Sequence, residues 1–198
     1  MGVFVNRGAA HILASALLAA SIAPAQAEDR ALWRCDTPNG HYDQRFFPIP
    51  GTAATISGKL IVNKAYIGLT WDSIAKITVA QGGSGDCHCS GVSLVASDKP
   101  KVVNYYATAN GADTEMAQSG YRTPTPFRIS FSPENMMTIQ IGNEKPQIKA
   151  VRLLHPEHDF LVMSCSGAGV SFLDVQIQYD FRGKTVTHVF EEQDRFSG

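Results

Sequence analysis

Leu173-Asp174-Val175-Gln176-Ile177-Gln178-Tyr179-Asp180-Phe181 alternates apolar and polar side chains for nine residues. Successive side chains of an extended strand point to opposite faces, so this stretch reads as a strand with one face buried and one in water. The same period recurs outward from it. Phe127-Arg128-Ile129-Ser130-Phe131 and Met137-Thr138-Ile139-Gln140-Ile141 alternate as cleanly. Runs rich in Val, Ile, Thr and aromatics predict further strands over 55–62, 74–80, 92–97, 101–107, 148–154, 159–165 and 185–190. Turn chemistry separates them: Gly82-Gly83-Ser84-Gly85-Asp86, Asn110-Gly111-Ala112-Asp113 and Gly142-Asn143-Glu144-Lys145-Pro146. Thr123-Pro124-Thr125-Pro126 starts a strand, where proline is tolerated. No helical period of useful length is visible, and a single turn around Asp113–Gln118 is the most that helix could claim. Many short strands at this spacing predict an all-β fold: an antiparallel two-sheet sandwich of jelly-roll type, with a closed β-barrel as the alternative.

The first 27 residues have a different grammar. Arg7 leads, an acid-free run rich in Ala, Leu and Ile follows from Ala9 to Ile22, and Ala25 and Ala27 bracket Gln26. A charged start, a short apolar run and small residues before a cut read as a bacterial-type signal peptide. The run is shorter than the roughly 20 residues a membrane-crossing helix needs. The expectation is cleavage after Ala27, one β-sandwich domain over 28–198, and a secreted or periplasmic location with no membrane span after cleavage.

The whole chain of 198 residues carries a formal net charge of −1, with no basic run. That argues against nucleic acid as a partner. Its four cysteines are Cys35, Cys87, Cys89 and Cys165. An even count behind an export signal favours disulfides. Closing Cys87 directly on Cys89 makes a small ring, so the expectation is that each pairs with one of Cys35 and Cys165, in either order. One bridge with two free thiols is the alternative.

Motifs with chemistry are sparse. Cys87-His88-Cys89, together with His155 and His158, offers weak candidates for metal ligands. His155-Pro156-Glu157-His158-Asp159 breaks the helical zinc-protease pattern with a proline and reads as a loop. No G-x-S-x-G occurs, and the glycines at 82–85 precede no helix that would hold phosphate. No catalytic residues are assigned and no cofactor is required.

Aromatics carry what is left. Tyr105-Tyr106, Phe46-Phe47, Trp33, Trp71 and Tyr121 are candidates for stacking on sugar rings. Adjacent aromatics on a strand point to opposite faces, so one ring of Tyr105-Tyr106 belongs to the core and the other faces out. Asn104 and Asn110 stand near enough in sequence to offer hydrogen bonds to hydroxyls.

Ile56-Ser57-Gly58-Lys59-Leu60, Pro126–Phe131, Met137–Gly142 and Val170–Ile177 together resemble the concanavalin A-like and laminin-G-like sandwiches, over roughly residues 55–180. The resemblance implies a curved sheet whose concave face binds glycans, sometimes with calcium. The E-x-D-x-x-E motif of some catalytic relatives is missing. The expected function is therefore an exported, non-catalytic glycan- or envelope-binding protein, its partner a polysaccharide or another envelope component. A structural or protein-interaction module of the envelope is the alternative, and a polysaccharide-active enzyme stands third. Oligomeric state is not legible.

Overall fold

The computed structural model describes residues 31–49, 54–66, 72–81, 89–97, 100–151 and 159–191. The expected leader over 1–27, together with Trp71, Cys87, His88, His155 and His158, lies outside the described residues.

The described chain is all β. Its strands in order are β1 Ala31–Asp36, β2 Tyr42–Pro48, β3 Ala54–Ala65, β4 Ser73–Gln81, β5 Ser90–Ser97 and β6 Val102–Ala109. They continue with β7 Ala112–Gly120, β8 Thr125–Phe131, β9 Met136–Ile141, β10 Gln147–Ala150, β11 Asp159–Ser166, β12 Ala168–Phe181 and β13 Lys184–Val189. All pair antiparallel in two sheets. One sheet runs β1-β12-β3-β8-β9-β10, with β13 also on β12; the other runs β2-β11-β4-β5-β6-β7. The chain crosses between sheets repeatedly, so β1 and β2, or β11 and β12, lie in different layers. β12 packs over β4 and β11, β3 over β5, and β5 over β8. This is the two-sheet sandwich, not the barrel.

The core is the shared inner face. Ile56, Leu60, Phe127, Ile129, Ile139, Ile141, Phe172 and Ile177 of the first sheet meet Ile77, Val92, Leu94, Val103, Leu161 and Met163 of the second. Period two puts them there, with one phase change. Between Leu173 and Gln176, β12 spends three steps where β3 spends two, from Lys59 to Ser57. The extra residue is Asp174, held at φ +49 and paired to Lys59 at 3.2 Å. A bulge of this kind flips the alternation. Phe172 and Val175 both point inward, and Leu173 turns to the outer face instead of joining Val175.

Two expectations are corrected. The segment Asp113–Gln118 is strand, not a helical turn: Asn110 at φ +51 and Gly111 at φ +83 make a tight hairpin that folds β7 back on β6. β7 is a polar edge strand, so it lacks the apolar alternation that announces a strand. The cysteine pairing is also different. Cys35 is bridged to Cys165, so neither is a partner for Cys87 or Cys89. Cys35 on β1 and Cys165 on β11 both point into the interior from opposite sheets, with Cα atoms 6.4 Å apart. Which strands lie face to face decides the pairing, and cysteine spacing carries no record of that. Cys89 is also disulfide-bonded, and no described cysteine is free.

At Gly91 the neighbouring strand leaves no room for a side chain. A Cβ there would run into the Ile77 carbonyl oxygen and lie 2.7 Å from the Thr78 Cα, both main-chain atoms of the neighbouring strand. Gly91→Ala must push β4 and β5 apart, and overpacking of this sort costs about 2–3 kcal/mol. Gly40 is a control. It sits at φ +79 with nothing within 4 Å of a built Cβ, so Gly40→Ala should cost only about 1 kcal/mol, for its left-handed backbone. Urea midpoints of the two variants check this; equal losses would refute the close-approach argument.

Candidate functional site

The sheet that carries Tyr106 turns its other face away from the core, and pairing register fixes what stands there. One row crosses all six of its strands: Gln44 on β2, Ser164 on β11, Lys76 on β4, Ser93 on β5, Tyr106 on β6 and Glu115 on β7. On one side of it runs Tyr42, Ser166, Ile74, Val95, Asn104 and Gln118. On the other runs Phe46, Val162, Thr78, Gly91, Thr108 and Asp113. This is the amphipathic logic of an antiparallel sheet, whose outer residues are free to be polar.

Yet several of these outer polar residues are buried. Thr78, Ser93 and Thr108 are each 2 % exposed, and Ser164 is 5 % exposed. Short hydroxyl side chains sink below taller neighbours, here Lys76, Tyr106, Val95 and Phe46. Some of the hydroxyls satisfy one another. Thr108 donates to Asp113 Oδ1 at 2.6 Å, and Ser93 Oγ stands 2.9 Å from Thr108 Oγ1. The face is thus a hydroxyl-lined floor between upright side chains.

Three groups on it are unspent. Lys76 is half-buried and makes no ion pair or side-chain hydrogen bond. The Tyr106 hydroxyl has no partner either. Asn104 Oδ1 is buried without a donor, an arrangement that is costly unless something supplies one. The cluster on the opposite sheet shows the contrast. There Lys64 lies 2.9 Å from Asp36, Tyr66 donates to the same carboxylate at 2.7 Å, and these bonds hold the Asp36 carboxyl below the usual carboxylate range.

The residues expected from sequence divide. Tyr106 and Asn104 share the outer face, whereas Tyr105 is 1 % exposed in the core. Asn110 sits at the hairpin tip, its side-chain amide donating to the Ala150 carbonyl at 3.3 Å and its backbone N–H to Ser90 at 3.1 Å. At roughly 3.3 Å per strand residue it stands well away from Tyr106. Trp33 stacks on Phe172 inside the core, and Phe47 is buried while Phe46 faces out against Phe160. Tyr121 is tied to the Ser97 carbonyl at 2.9 Å. Among the described residues no group of three or more His, Cys, Asp or Glu gathers as a metal site. Gln44, Lys76, Ser93, Ser164 and Glu115 were not singled out from sequence. The one local signal was a lone lysine inside the apolar run of β4; the rest meet only through register.

A further pocket of about 210 Å³ opens on the first sheet beside Thr55, Gln178, Asp180 and Thr185. It carries none of these unspent groups.

No protein-family model matches the sequence, and no curated protein matches it. Solved structures do. An alginate lyase from Pseudomonas aeruginosa is similar with a TM-score of 0.50 at 8 % identity, over 69 % of this chain and 68 % of that one. The potassium-bound carbohydrate recognition domain of Emp46p gives 0.46 at 14 % identity, over 71 % and 79 %. Scytalido-glutamic peptidase gives 0.49 at 10 % identity, over 76 % and 88 %. The likeness is one of fold, and the resemblance to concanavalin A-like sandwiches holds at that level. A likeness of fold leaves function to the site.

Proposed function

We propose that this is an exported glycan-binding β-sandwich whose ligand lies across the outer face of the β2-β11-β4-β5-β6-β7 sheet. The observation that carries the reading is the sunken hydroxyl floor of Ser93, Thr78, Thr108 and Ser164, flanked by the outward ring of Tyr106 and the unpaired Asn104 Oδ1. Sugars need this combination. Their ring faces are apolar enough to lie on an aromatic, and their hydroxyls need donors and acceptors at fixed places. Export rests on the leader-like residues 1–27.

Tyr106 is the anchor to remove. Tyr106→Ala should lower polysaccharide affinity about tenfold or more, as truncating an aromatic hot spot does, and should leave the thermal midpoint nearly unchanged. Affinity electrophoresis of the purified protein through gels containing soluble polysaccharides, compared with the variant, reads the effect. A parent that no polysaccharide retards, or a variant retarded as strongly as the parent, refutes the reading.

A further inference from the structure

We infer that the groove selects an acidic sugar, with the ligand carboxylate on Lys76 and the neighbouring ring over Tyr106; this rests on the glycan-binding reading above. Lys76 and Tyr106 stand two strands apart, which is roughly 10 Å. Between them in the same row is only Ser93, whose side chain is short and buried. On the other side of Lys76 is Ser164, equally short. Along this row Lys76 therefore has only short side chains beside it, with Ile74, Val95 and Val162 in the adjoining rows. Among the described residues it is the cation that projects from this face, and no carboxylate neutralises it. Glu115 is three strands away along the row and accepts from Gln118 at 3.4 Å. Asp113 reaches back across β6 to accept from Thr108 at 2.6 Å and from Ser93 at 3.3 Å, so its carboxylate is committed to these two hydroxyls and not to Lys76.

A cation on a binding face that no acid has already paired is open to a ligand carboxylate. The surrounding groups match the rest of a uronic acid. The Tyr106 hydroxyl can donate or accept, and Asn104 Oδ1 lacks a donor that a sugar hydroxyl would provide. Both lie one strand beyond Ser93, on the side away from Lys76. A charge-assisted hydrogen bond to the ammonium would then set preference for the acid over its neutral counterpart. The protein's own formal net charge of −1 gives polyanions no general attraction, so preference for an acid must come from this local cation.

The test compares polygalacturonate and alginate with their carboxyl-reduced forms and with a neutral glucan, by isothermal titration of the purified protein at 0.15 M salt. We expect the polyuronates to bind at least tenfold tighter than the reduced polymers. Lys76→Met should remove most of that difference, Lys76→Arg should retain it within a few fold, and both should keep the parent's thermal midpoint. Dextran sulfate controls for bulk polyanion binding, which falls steeply with salt. Equal affinity for oxidised and reduced polymers, or undiminished polyuronate preference in Lys76→Met, overturns the assignment while leaving glycan binding standing. Dextran sulfate binding as tightly as the polyuronates also overturns it. Failure of every polymer to bind overturns both readings together.

Discussion

Replacing Cys35 and Cys165 together by alanine is expected to lower the unfolding free energy by about 3–5 kcal/mol. The bridge spans 130 residues of sequence. Closing so long a loop removes unfolded-chain entropy worth about 5 kcal/mol in the chain-entropy account, of which real proteins show a part. The native side contributes as well. The bridge joins β1 of one sheet to β11 of the other through the interior, where both cysteines are buried at 3 % and 1 % exposure. It therefore clamps the two layers at one point, beside Thr37, whose hydroxyl lies 3.0 Å from each sulfur. Alanine leaves a small cavity there but no stranded polar group other than that hydroxyl. At the usual scaling this is a fall of about 10 °C or more in the thermal midpoint. Scanning calorimetry of parent and double variant measures it. Adding reductant to the double variant then isolates the contribution of the bridge at Cys89. A double variant that melts within about 2 °C of the parent would mean the clamp adds nothing.

The contrast between this bridge and the rest of the fold marks what a sequence carries. Period two is a local property, so the strands at Phe127–Phe131 and Met137–Ile141 are readable from five or so residues. Edge strands are not. β2 and β7 each have one sheet neighbour and a largely exposed surface, so they need few apolar residues and leave little alternation to find. The bulge at Asp174 is invisible for a different reason. The alternation through Leu173 and Val175 is intact in the sequence, and only the register against β3 shows that one residue is looped out. The candidate site fails locally in the same way. Tyr106 and Asn104 could be picked out because they are neighbours on one strand. Lys76 could not, because its nearness to Tyr106 depends on β4, β5 and β6 being consecutive in the sheet and in a particular register. The disulfide is the extreme case, since it depends on which strands of different sheets lie face to face.

Tyr105→Ala is expected to cost about 3–5 kcal/mol, against a small change for Tyr106→Ala one residue on. The ring of Tyr105 is among the largest fully buried side chains, 1 % exposed, and it points between the sheets next to Leu94 of β5 and Ala117 of β7. Truncation empties that volume between the sheets, where β5 is fixed by its ladder to β4 and cannot collapse inward. The hydroxyl accounts for little of the loss. It lies 3.2 Å from Ser119 Oγ, which also receives the Thr125 hydroxyl and donates to the Gly120 carbonyl. Tyr105→Phe should therefore cost about 1 kcal/mol or less. The pair also separates stability from binding. Met116 is the extra residue of a bulge opposite Tyr105 and Tyr106, where the register of β7 steps from Ala117 to Glu115. The bulge lies on β7 and leaves the alternation of β6 intact, so Tyr106 is aimed by its own backbone rather than by the Tyr105 ring. At a temperature well below its lowered midpoint, Tyr105→Ala should hold polysaccharide within a few fold of the parent, while Tyr106→Ala should not. Urea unfolding and affinity electrophoresis on the three single variants decide this. If Tyr105→Ala loses binding while still folded, the core ring and not the alternation of β6 alone sets the direction of Tyr106.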